Sequence, residues 1–275
     1  MPVNPIFEDM LVVIKGGGDL ASGVAYRLKR AGFPVLLTEL ETPLMVRRTV
    51  CYGNAVYEGE VRVEDITARR VDRPAEARRL ALTEVIPVLV APEPAMLVAL
   101  KPHVLVDAIM AKANTGTAIT AAPLVVALGP GFTAGQDCHV VIETNRGHWL
   151  GRVIYRGSAE PDTQVPGSMQ GHTVDRILRA PAAGRVAAAA GIGDRLKAGQ
   201  LIATVAGHEV RAPFEGVLRG LVHPAVAVTP GFKIGDLDPR GEVRHCFTLS
   251  DKSLAVGGGV LEAILSSNVV PGKRR

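Results

Sequence analysis

The sequence predicts an α/β protein in which a Rossmann-like, doubly wound sheet is joined to a smaller all-β module. Three observations carry that expectation. First, an apolar run, Leu11 to Ile14, enters a glycine turn at Gly16 to Gly18, and a helical pattern and a second apolar run, Pro34 to Thr38, follow it. This order is that of a βαβ unit in a parallel sheet. Second, further short apolar runs, separated by Gly, Pro or Asn, continue to Tyr155. Third, a motif then recurs at an offset of 32 residues: Arg179-Ala180-Pro181 with Gly184 returns as Arg211-Ala212-Pro213 with Gly216, and Gly199 returns as Gly231. Repeats this short bury a face only by packing on each other.

In the first unit Asp19 is expected to cap the helix, and Leu20, Val24 and Leu28, with Ala21 and Ala25, form its apolar stripe. Arg27, Lys29 and Arg30 suit its last turn and Gly32 its stop. Strands are expected at Val85 to Val90, Val104 to Ala108, Leu124 to Leu128, Val140 to Thr144 and Gly151 to Tyr155, with a short helix at Glu93 to Leu100. Gly157 to Val174 reads as a linker. The expected domains are therefore 1–165 for nucleotide binding, 175–240 for the repeat module, 241–266 for a C-terminal helix and 267–275 for a flexible tail. The C-terminal helix, starting near Ser250, carries Leu254, Val256, Val260, Leu261 and Ile264, too much apolar surface to leave in water, so it is expected to pack back on the first domain.

Apolar residues make up 47% and charged residues 21% of the 275, which excludes a chain disordered over most of its length. The net charge is +4, with basic residues scattered except at Lys273-Arg274-Arg275, so no nucleic-acid stripe is present. The three cysteines, Cys51, Cys138 and Cys246, lie far apart and in no C-x-x-C pair. Neither a disulfide framework nor a zinc ribbon is expected, and the scattered histidines give no metal-ligand spacing. The start of the chain lacks a basic region followed by an apolar core of signal-peptide length, and no apolar stretch approaches a membrane span. A cytoplasmic protein without a membrane or metal is the expectation; a homo-oligomer is left open.

Gly16-x-Gly18-x-x-Ala21 stands between a strand and a helix, the context in which a dinucleotide fingerprint has physical meaning. The candidate ligand-binding residues are Gly16, Gly17, Gly18, Asp19, Leu20 and Ala21, with free N–H groups at the helix start facing an anion. Glu39, ending the second strand, is placed to accept from a ribose diol. The competing reading is a plain tight turn beside a solvated acid. Arg47-Arg48 is placed either to close over phosphates, Arg48 above all, or to stand in water. Asp107 and Lys112, near the C-terminal end of a strand, are candidates for proton transfer or a surface ion pair.

The paired Ala-Pro-x-x-Gly units look like the biotinyl or lipoyl barrel-sandwich hybrid. The tip that would carry a modified lysine reads Val205-Ala206-Gly207-His208-Glu209. Covalent biotin or lipoyl is therefore not expected. Several motifs together, Gly16 to Gly23, Thr38-Glu39 with Arg47-Arg48, Asp107-x-x-Met110-Ala111-Lys112, Gly129-Pro130-Gly131-Phe132, Ile142 to His148, and Ser250-Asp251-Lys252 with Gly257 to Ala263, resemble the selenium-dependent molybdenum hydroxylase system protein family. That family is distantly similar to the xanthine dehydrogenase accessory proteins. The resemblance implies a maturation or insertion factor whose partner is a molybdenum hydroxylase and whose ligand is a nucleotide or dinucleotide, the molybdenum cofactor or NAD. An NAD-dependent oxidoreductase and a non-catalytic scaffold that docks the client are the alternatives; whether any step is catalysed stays open.

Overall fold

The computed structural model describes residues 3–90, 98–163 and 169–270. The chain forms two compact units. Met1–Glu41, Tyr52–Asp162 and Leu249–Arg275 make the first, and Thr42–Cys51 with Thr163–Thr248 make the second.

The first unit is built on β1 (Val12–Lys15), α1 (Asp19–Arg30), β2 (Val35–Glu39), α2 (Ala55–Glu58), β3 (Glu60–Val63), β4 (Ile66–Val71), α3 (Pro74–Ala81), β5 (Ile86–Val90), β6 (Val104–Asp107), β7 (Leu124–Leu128), β8 (Val140–Ile142) and β9 (Val153–Ile154). These strands form one nine-stranded sheet in the order β3-β4-β5-β2-β1-β6-β7-β8-β9. Strand β1 lies between β2 and β6, pairing Val12 with Val35 and Val104, parallel to both. Strands buried on both faces have no polar side to alternate, which is why they read as continuous aliphatic runs. Leu11, Val13, Leu36, Leu89, Leu105, Val125 and Val141 share one core with Ala77, Leu80 and Ala81 of α3. The last helix, α4 (Asp251–Ser266), packs on α1 through small residues. A Cβ on Gly257 would lie 2.5 Å from the Gly23 carbonyl oxygen, and one on Gly23 would collide with Ser253.

In the second unit the strands are β10 (Ile177–Arg179), β11 (Gly184–Ala188), β12 (Arg195–Leu196), β13 (Leu201–Val205), β14 (His208–Arg211), β15 (Gly216–Leu221), β16 (Ala227–Val228) and β17 (Lys233–Asp238). They form two four-stranded sheets, β10-β17-β15-β12 and β14-β13-β11-β16. Moving along the sequence by one repeat exchanges the two sheets, and the hydrogen bonds follow. The Gly199 amide donates to the Ala212 oxygen and the Gly231 amide to the Ala180 oxygen, each at 2.8 Å. Likewise Arg211 Nη1 donates to the Gly199 oxygen and Arg179 Nη1 to the Gly231 oxygen, again each at 2.8 Å. The repeated arginines thus brace the repeated glycine turns.

This architecture corrects the expected fold class. The large sheet is mixed and is not a Rossmann-like, doubly wound parallel sheet: β3 runs antiparallel to β4 and β9 antiparallel to β8. The cause is connection length, since Glu64 and Asp65 turn β3 directly into β4, and such a hairpin permits only antiparallel pairing. The repeat builds two antiparallel sheets in a unit that also takes in a distant piece of chain, 42–51, and it does not make a clear biotinyl or lipoyl barrel-sandwich module. The compact units also differ from the expected boundaries, because Arg48 Nε donates to the Leu221 oxygen at 2.8 Å and Thr49 Oγ1 to the Cys246 oxygen at 2.5 Å, tying 42–51 to the second unit. Most of the expected helix Glu93 to Leu100, part of the linker and the Lys273-Arg274-Arg275 tail lie outside the described residues. Among the described residues no helix is long and apolar enough to cross a membrane.

Candidate functional site

At the C-terminal end of β1 the chain makes its glycine turn, and the three glycines are held differently. Gly16 has φ +94°, a region that favours glycine, and its absent Cβ would lie 3.1 Å from the Ala108 oxygen. A Cβ on Gly17 would lie 2.6 Å from the Gly53 Cα, and the Gly53 amide donates to the Gly17 oxygen at 2.9 Å. Gly18 has φ −73°, open to any residue, and none of the described residues stands within 4 Å of where its Cβ would be. The fold therefore requires Gly16 and Gly17, whereas Gly18 leaves open space before the first turn of α1. Gly18 itself is the N-cap, without a side-chain bond. This corrects the expected capping role of Asp19, which is the first helical residue, its carbonyl accepting from Ser253 Oγ at 2.7 Å. Ala21 is fully buried and Leu20 half-buried.

The carboxylate of Glu39 reaches back to the turn. Its Oε2 accepts from the Gly17 amide at 2.7 Å and its Oε1 from the Leu40 amide at 2.8 Å. Burial raises the Glu39 pKa, opposed by these two backbone donors. The acid thus holds the loop, and each oxygen still has a lone pair to offer a hydroxyl.

Beside the turn, Lys15 Nζ lies 3.2 Å from Asp107 Oδ2 and donates to Thr117 Oγ1 at 2.6 Å, while Thr117 Oγ1 donates to Asp107 Oδ2 at 2.6 Å. Asp107 is buried, and its other oxygen accepts from the Ile109 amide. Lys112 pairs instead with Asp162 at 3.2 Å, so Asp107 and Lys112 do not form an acid–base pair. The intervening loop is strained, with Met110 at φ +61° and Lys112 at φ +64°, conformations costly for residues with side chains. Lys252, on the first turn of α4, makes no hydrogen bond or ion pair among the described residues. Its ammonium pKa is lowered by burial and then by the like charges of Arg146 and Lys112, against Asp19 and Glu143.

Arg48 belongs to the second unit, where its Nε is committed to the Leu221 oxygen. The structure thus brings together Gly16 to Ala21 and Glu39, and it adds Lys15, Thr117 and Lys252, which the sequence reading did not single out. A lysine closing a buried strand directly before a glycine turn is the signal in the sequence by which Lys15 could have been found. All three cysteines are buried and outside any disulfide, and burial pushes the Cys138 thiol up to about 11. His139 Nδ1 accepts from the Val125 amide at 2.9 Å, a structural role.

No family model matches the sequence. The chain is 54% identical over 255 residues to the uncharacterized protein YqeB of Escherichia coli K12, an overlap of 93% of this chain and 47% of that protein. It therefore spans about half the length of this curated relative. Solved structures to which it is similar include an aspartoacylase family protein from Mesorhizobium loti, at 11% identity and TM-score 0.26, covering 83% of this chain and 84% of that one. Another is the ectoine utilization protein EutE (DoeB) of Ruegeria pomeroyi, at 11% identity and TM-score 0.24, covering 86% of each chain.

Proposed function

We propose that this chain binds the phosphate part of a nucleotide-type or dinucleotide-type ligand, such as the molybdenum cofactor, in front of Gly18, and that it serves the maturation of a molybdenum hydroxylase or insertion of that cofactor. The space at Gly18 carries the reading. Gly16 and Gly17 are explained by the fold, whereas Gly18 meets none of the described residues and needs no special backbone angle. A glycine there is accounted for by something that approaches the backbone closely, and the N–H groups of an α-helix start favour an anion. On this reading the backbone of Gly16 to Leu20 holds the phosphates, the half-buried Lys252 supplies a positive charge, and Glu39 accepts from a ribose hydroxyl. The bound cofactor would supply the pterin and metal chemistry, which the client enzyme uses. The hydroxylase part of the reading is supported by the motifs from Gly16 to Ala263 that resemble the maturation family, and it places the chain in the cytoplasm.

The test compares a molybdenum hydroxylase from the native host in cells with and without this protein. The expected result is client polypeptide present but lacking complete cofactor when the protein is absent. Fully active, fully loaded client in its absence would contradict the proposal, and efficient NAD turnover by the purified chain would replace it with the oxidoreductase reading.

A further inference from the structure

We propose that the first unit binds a small monoanion of the carboxylate class in a polar cavity between the last turn of α1 and the β3–β4 hairpin, with Lys29, Arg62 and Thr67 as its donors. The cavity has a volume of about 270 Å³. Sites for drug-sized ligands run to roughly 300–1,000 Å³, so its occupant is small. Lys29 lines the cavity and is only 1% exposed, yet its one hydrogen bond among the described residues runs from Nζ to the Ala81 oxygen at 2.9 Å. An ammonium has three donors, so two are left without an acceptor in the protein.

Two further idle donors line the same cavity. Arg62 and Thr67 stand directly opposite each other on β3 and β4, which puts their side chains on one face of the hairpin. Among the described residues the Thr67 hydroxyl makes no hydrogen bond, and Arg62 makes one, from Nε to the Glu64 oxygen at 3.4 Å, and no ion pair. Arg30 and Asp65, also in the wall, are paired with each other at 2.5 Å. Glu84, just before β5, is the carboxylate that acts on Lys29. The wall thus carries three cations, Lys29, Arg30 and Arg62, against two carboxylates, Asp65 and Glu84, an excess of one positive charge. Leaving donors unmade in a buried site is costly, and a carboxylate, which only accepts, offers two oxygens to such groups. One bound carboxylate balances the charge and meets the ammonium and its neighbours with the short bonds that charged partners make. The cavity lies where β4 and β5 begin, whereas Gly18 follows the end of β1, which runs parallel to them through β2. The two places are at opposite edges of the sheet, and the proposal does not depend on the reading of Gly18.

The test follows the melting temperature of the full chain with increasing acetate, ionic strength being held constant with chloride, and repeats it with sulfate. A saturable rise with acetate is expected for the wild type and for Gly18→Val. In Lys29→Met the apparent affinity should fall by about tenfold or more, the size of a lost charge-assisted hydrogen bond. No saturable rise with acetate, or an unchanged response in Lys29→Met, would overturn the proposal, and so would saturation by sulfate at lower concentration than by acetate, which marks a dianion site. Should Lys29→Met fail to fold, Arg62→Gln changes an exposed residue of the same wall. A weakened response to acetate in that variant supports the site, and an unchanged one overturns it.

Discussion

At Gly17 a methyl group would sit 2.6 Å from the Gly53 Cα, so Gly17→Ala must push the 52–54 segment away. Overpacking of this kind is expected to cost about 1–3 kcal/mol. At Gly18 the same methyl group meets nothing, and Gly18→Ala is expected to cost less than about 1 kcal/mol, the effect of a poorer cap. Urea unfolding of the two variants checks the contrast, and equal losses would contradict it. A second residue-scale prediction concerns Lys29, buried in α1 with Nζ donating to the Ala81 oxygen at 2.9 Å. Burial holds its pKa at about 8, below the ordinary 10.5. Between those values the unfolded chain binds more protons than the folded one, so stability rises with pH across that window, by roughly 3 kcal/mol if fully expressed. Lys29→Met removes this dependence. The stability of wild type relative to the variant should therefore increase from about pH 7 to about pH 10, and a constant difference would contradict the assignment.

Among the elements, the repeat makes the sharpest prediction. Gly199 and Gly231 stand at φ +77° and +80° with no described residue within 4 Å of either Cβ position, and their amides make matching bonds to Ala212 and Ala180. Gly199→Ala and Gly231→Ala should each cost about 1–2 kcal/mol, from backbone conformation alone, and by similar amounts. Thermal unfolding that finds one neutral and the other costly would show that the two turns are not equivalent. The spacing of Arg179 and Arg211 from these glycines made the duplication legible from sequence. So did the apolar runs around α1, because buried parallel strands have no polar face. Strands β3 and β4 were not legible: Glu60, Arg62, Arg69 and Arg70 interrupt their apolar pattern because these residues are exposed, on the edge strand and its neighbour. Nothing local marks Met110 or Lys112 for a left-handed backbone, since Gly129 and Gly131, which pack closely against Met110, Lys112 and Ala113, are brought there by tertiary structure.

At the scale of the whole molecule, sequence order misled most where the chain leaves one unit and returns. Residues 42–51 follow β2 directly but are bonded to the second unit through Arg47, Arg48 and Thr49. A chain lacking 163–248 leaves those donors without their acceptors. It should give less soluble protein and melt at a lower temperature than one in which 42–51 is also replaced by a short polar linker, and identical behaviour would contradict the division into units. The mixed sheet follows the same logic, since which strands pair at its edges depends on turns and not on apolar pattern. The reading that joins these scales is that Gly18 keeps a place for a phosphate-bearing ligand. Calorimetric titration of the full chain with NAD, AMP, CDP and molybdopterin cytosine dinucleotide tests it most directly. The account predicts that wild type binds the dinucleotide of the molybdenum cofactor and that Gly18→Val, still folded by circular dichroism, does not. Failure of all four ligands to bind wild type would contradict it and leave the glycines as a turn alone.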